Sequence, residues 1–114
     1  MTYYDDDPHH PVVERPWEYE IVGLSYHRDL DSWTDSFIDL TIQKGGHRRH
    51  LRFLGPNDLQ ITAGFPRSSG LCILDVSKRQ LDGLRVLVDN REGSGGCPTF
   101  FAREVVDLDA SGPA

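Results

Sequence analysis

The stretch S-F-I-D-L-T-I-Q-K-G-G-H-R-R-H-L-R-F-L, residues 36–54, decides the fold. Over 36–44 the apolar side chains of Ile38, Leu40 and Ile42 alternate with Asp39, Thr41 and Gln43, a period of two that sends each set to its own face of a strand. Gly45-Gly46 then supplies the positive φ that a tight primed turn needs, and 47–54 returns with Leu51 and Phe53 inward. The spacing predicts a hairpin with one apolar face. A lone hairpin is marginal in water, so this one needs more apolar surface to pack against.

The same period recurs on both sides. Residues 19–27 read as a strand with Val22, Leu24 and Tyr26 on one face. After the turn Gly55-Pro56-Asn57-Asp58, Leu59, Ile61 and Ala63 mark a short fourth strand, closed by a turn over 65–70. Residues 71–76 are apolar on both faces, which predicts a central strand. Ser77 and Gln80 have the spacing of a capping box, and Gly83 is a suitable left-handed stop, so one helical turn is expected there. Strands follow at 84–89, with Leu84, Val86 and Val88 on one face, and at 99–107, separated by a loop over 90–98 that contains Ser94 and three glycines. About seven strands with one helical turn predict an all-β antiparallel sandwich or small open barrel.

At 114 residues there is room for one core. The domain is expected at 17–109, preceded by a flexible acidic leader, 1–16, and followed by a short tail, 110–114. Residues 1–20 carry six acids against Arg15 alone, whereas the remainder carries twelve acids and eleven bases. The body is thus nearly neutral, without the basic excess that displaces counterions from phosphates, so no nucleic-acid partner is expected. No apolar run approaches the ~20 residues of a membrane span, and neither membrane contact nor a secretory signal is expected, which makes the cytoplasm the simplest address. There Cys72 and Cys97 read as free thiols.

Candidate chemistry is sparse. The segment 26–39 gathers Asp29, Asp31, Asp35 and Asp39 around His27 and Trp33. An EF-hand beginning at Asp29 would need ligands where Trp33 and Leu40 stand and glycine where Thr34 stands, so that pattern fails. His9, His10, His27, His47 and His50 lack the spacing of a metal site, and neither Cys97 nor Ser94 has the neighbours of a nucleophile; no cofactor and no metal is expected. The basic run 47–52 reads as protection of an exposed edge strand, with an anion or acidic-partner site as the alternative. Trp33 in a polar loop either folds back on the core or meets another protein, and aspartates around such an anchor suit a basic partner.

The strings L-R-F-L-G-P-N-D-L (51–59), I-L-D-V-S-K-R-Q-L-D-G (73–83), V-D-N-R-E-G (88–93) and F-F-A-R-E-V (100–105) resemble small bacterial all-β proteins of uncharacterised function. More faintly, they are similar to β-rich immunity proteins of polymorphic-toxin systems, which neutralise a toxin by binding it. The resemblance implies a non-enzymatic protein with a protein partner and transfers no functional residue. The expected function is a protein-binding module, in one form an immunity-type inhibitor, that contacts its partner through Asp29, Asp31, Trp33 and Asp35. Two rivals stand beside it: a small metal-dependent or small-molecule enzyme using His27, Asp29 and Asp31, and a structural homo-oligomer pairing through the hairpin 37–54.

Overall fold

The computed structural model describes residues 8–61, 63–65, 70–90 and 97–109. Among them, eight strands form two antiparallel four-stranded sheets. The first holds β1 (Glu20–His27), β2 (Phe37–Lys44), β3 (His47–Leu54) and β8 (Glu104–Asp107) in the order β1-β2-β3-β8. The second holds β4 (Asn57–Gln60), β5 (Leu71–Asp75), β6 (Val86–Asn90) and β7 (Thr99–Ala102) in the order β4-β7-β6-β5. Helix among these residues is confined to single 3-10 turns at Pro16–Glu18, Trp33–Asp35 and Ser77–Arg79.

The period of two places the core. Ile38, Leu40, Ile42, Leu51, Phe53 and Val105 face inward from the first sheet, and Leu71, Ile73, Val86, Val88, Phe100 and Ala102 from the second, all buried in one cluster. Phe53 and Phe100 meet edge to face with ring centroids 5.0 Å apart, joining the two layers. The hairpin forms as expected: Lys44 pairs with His47 and Gly45 takes φ 59 at the turn. Both cysteines are buried and form no disulfide with each other.

Several expectations are corrected. The strand expected over 99–107 divides at Arg103, whose N–H bonds the Leu54 carbonyl at 2.8 Å as the chain crosses between sheets. Both Ala102 and Val105 face the core, three residues apart, and a single strand of period two cannot place both there. In β1 a bulge between Ile21 and Gly23 shifts the register, so Ile21 is buried while Val22 is 49% exposed; of the expected Val22, Leu24 and Tyr26 face, Leu24 packs on the core and pairs with Leu40, Tyr26 pairs with Ile38, and Val22 alone leaves it. The fourth strand begins at Asn57, two residues earlier than Leu59.

The capping box does not form: Ser77 is the first residue of its turn, its N–H bonds Asp75 Oδ1 at 2.9 Å, and Gln80 rather than Gly83 provides the left-handed cap. β5 ends its sheet instead of lying centrally. Its apolar outer face is nevertheless covered, for Cys72, Leu74, Val76 and Leu87 form a second buried cluster against Phe101.

The flexible leader is corrected over residues 8–16. His10 N–H bonds the Ile73 carbonyl and the Pro8 carbonyl accepts from Asp75 N–H, both at 2.8 Å, so this segment shields the β5 edge. Val13 is 2% exposed and belongs to the main core. Burial of Val13 and Pro16 outweighs the loop-like composition. Residues 1–7 of the leader, Ser94 with its glycines, most of the 65–70 turn and the tail 110–114 lie outside the described residues. No helix among the described residues is long and apolar enough to cross a membrane.

Candidate partner-binding face

The loop joining β1 to β2 is built on Ser36. Its buried hydroxyl accepts the Asp29 N–H at 2.8 Å, and its carbonyl accepts the Gly55 N–H at 2.9 Å. Asp29 Oδ1 accepts the N–H groups of Asp31 at 2.9 Å and Ser32 at 3.1 Å, which turns the chain. The 3-10 turn Trp33–Asp35 follows, and the indole Nε1–H donates to the Pro56 carbonyl at 2.9 Å. The indole is held at its polar edge yet remains 44% exposed.

That exposed face lines an open cleft of about 640 Å³ with Asn57 and Asp58 of β4, Leu81, Asp82 and Leu84 of the β5–β6 connection, and Phe101 of β7. Phe101 is half-buried and packs on the Leu74 and Leu87 cluster, so the floor is backed by apolar side chains. Leu81 and Leu84 are bridged by the Leu84 N–H to Leu81 carbonyl bond at 3.0 Å, which fixes that wall. Asp58 and Asp82 adopt φ 63 and 55, a left-handed conformation that aspartate tolerates better than most residues. Among the described residues no ion pair involves Asp31, Asp35, Asp58 or Asp82. The arrangement combines a fixed aromatic anchor, an apolar floor and uncompensated carboxylates.

The four sequence candidates divide. Trp33 lines the cleft, and Asp31 and Asp35 lie exposed in its loop, whereas Asp29 uses its carboxylate to hold the turn. His27, Asp29 and Asp31 form no metal-holding group among the described residues. His27 stacks on Phe37 at 4.8 Å, with an Arg52 guanidinium 4.0 Å from the same ring, and no other group of three or more His, Cys, Asp or Glu among the described residues is placed to hold a metal. Asn57, Asp58, Leu81, Asp82, Leu84 and Phe101 were not legible as a site. The one available signal was Phe101, an apolar side chain on the face of its strand opposite the core.

β8 pairs with β3 over residues 51–54, so within the basic run Leu51 and Arg52 lie inside the sheet while residues 47–50 flank the end of that pairing, and several of the cations are engaged. Arg52 grips Asp39 with two bonds of 2.8 and 2.9 Å, and Arg48 grips Gln43 Oε1. Arg49 pairs with Asp107 and also donates to the Val12 carbonyl at 3.0 Å. The His50 N–H donates to Asp109 and, with the ring, holds that carboxyl below its ordinary range. β2 is flanked by β1 and β3, so within the hairpin 37–54 the strand edge without a β8 partner is that of β3 over residues 47–50.

No family model, curated protein or solved structure matches the chain. The cleft is therefore read from its own geometry.

Proposed function

We propose that this chain is a protein-interaction module whose partner presents an apolar side chain flanked by Lys or Arg, seated in the Trp33 cleft. The observation that carries the reading is the pinned but half-exposed indole, in one cleft with Phe101, Leu81 and Leu84 and with the unpaired Asp58 and Asp82. Such an anchor loses little conformational entropy on binding, because its Nε1–H bond to Pro56 already fixes its rotamer. Water leaves the apolar floor on contact, and the carboxylates, with Asp31 and Asp35 nearby in the chain, raise the encounter rate with a basic surface. An immunity-type inhibitor, as the sequence resemblance implies, is one form of this function.

A display library of twelve-residue peptides tests the reading. Wild-type protein should enrich aromatic or aliphatic residues flanked by Lys or Arg. Selected peptides should lose at least about tenfold in affinity with Trp33→Ala, as expected of an interface anchor. They should also weaken with Asp58→Lys combined with Asp82→Lys, and a circular dichroism spectrum unchanged from wild type should accompany both losses. Enrichment without basic residues, or affinities within twofold of wild type in both variants, would reject the proposal.

A further inference from the structure

We infer a second binding site, for the phosphate group of a small molecule, between Arg85 and Arg103. Pairing of β6 with β7 runs through Leu87 with Phe101 and ends at Val86 with Ala102, beside which Arg85 and Arg103 follow. The Arg85 N–H bonds the Ala102 carbonyl at 2.9 Å and the Arg103 N–H turns to the Leu54 carbonyl at 2.8 Å, so the ladder stops here with both arginines at its end. Two cations lining one cleft repel unless an anion lies between them. Among the described residues no ion pair or side-chain hydrogen bond engages either guanidinium, although Arg48, Arg49 and Arg52 on β3 are all engaged.

Both arginines line an open cleft of about 380 Å³ with Leu54, Gly83 and Glu104, and both also line an adjoining cleft of about 190 Å³ with His10, Asp75 and Ser77. The larger volume suits a small molecule. The stem of Arg103 is held by glycine. At Gly55, with φ +58, a Cβ would lie 2.8 Å from Arg103 Cδ and 2.9 Å from Cγ, so the missing side chain is where the arginine stem runs. The Arg103 Nε lies 3.8 Å from the corresponding position at Gly83. The side chain is thus placed before any ligand arrives, which lowers the ordering cost of binding.

Among the described residues neither nearby carboxylate is bonded to an arginine: Asp75 Oδ1 accepts the Ser77 N–H and feels the Arg85 charge without an ion-pair contact, and Glu104 makes no ion pair with either arginine. Two guanidinium forks supply more donors than one carboxylate accepts, whereas a phosphate offers three terminal oxygens to both. Glu104, on the same wall, suits a hydroxyl or ammonium group on the remainder of the ligand.

Nuclear magnetic resonance of the arginine Nε–Hε groups tests the site, with ionic strength held constant by chloride at pH 7.5. The probes are inorganic phosphate, phosphoethanolamine and acetate. Saturable shifts of the Arg85 and Arg103 signals are expected with both phosphates. Tighter binding of phosphoethanolamine would identify a phosphate carried on a small amine, and equal affinity would identify free phosphate. Arg85→Gln and Arg103→Gln should each weaken binding at least tenfold, while Glu104→Gln should leave inorganic phosphate binding unchanged or tighter. Without phosphate, both arginine variants should keep the wild-type circular dichroism spectrum, which separates lost binding from misfolding. Absence of saturation, an equal response to acetate, or unaltered titration in both arginine variants would overturn the inference.

Discussion

His10 shows how one side chain changes role once the chain is folded. Its ring Nδ1 accepts the Val12 N–H at 3.1 Å, an acceptor that exists only while that nitrogen carries no proton. Burial lowers its pKa from the ordinary 6.5, and the charge of Asp75 opposes this only in part. A lowered folded pKa means that the unfolded chain takes up the proton first as pH falls through 6.5. Stability should therefore decline below that pH until the folded form protonates as well. Urea titrations between pH 7.5 and 5 should show this slope in wild type and a flatter one in His10→Gln; equal slopes would assign the pH dependence to other groups. Asp29 and Trp33 divide in the same residue-by-residue way. They are four positions apart in one loop, yet one carboxylate is spent on turning the chain while the indole stays available to a partner.

Among the elements, the β2–β3 hairpin is the most local. Gly45 takes φ 59, and a Cβ there would meet nothing within 4 Å, so replacement costs backbone conformation alone. Gly45→Ala should lower stability by about 1 kcal/mol, the penalty for an L-residue in the left-handed region, while Gly45→Asn should lower it less. Chemical denaturation of the two variants would measure the difference, and equal losses would place the cause outside the turn's φ. Sequence alternation was sufficient for this hairpin because strand, turn and strand lie within eighteen contiguous residues. It was insufficient for β1, where the bulge at 21–23 turns Ile21 inward and Val22 outward ahead of Leu24, and for 99–107, where Arg103 divides one apparent strand between two sheets. A period of two reports facing only while the register is unbroken.

In the molecule as a whole, the core is one apolar layer between two sheets, with Phe53 and Phe100 in contact across it. Phe53 is fully buried, so Phe53→Ala should cost about 3–5 kcal/mol from lost transfer energy and the cavity left behind. A domain of this size has about 5–15 kcal/mol to lose. The variant should therefore unfold at much lower urea concentration; a loss under about 1 kcal/mol would show that the layers repack freely.

The all-β class, the hairpin with its turn, and the alternation of Ile38, Leu40, Ile42, Leu51 and Phe53 were determined by the sequence alone, because side-chain period and turn chemistry are local properties. Sheet order, the docking of residues 8–16 on β5, the assembly of Trp33 with Phe101 and the placing of Arg85 and Arg103 on one cleft were decided only in the tertiary structure. Each depends on which distant strands come to lie side by side. That choice is made by the joint burial of two apolar faces, a free energy that no single segment carries.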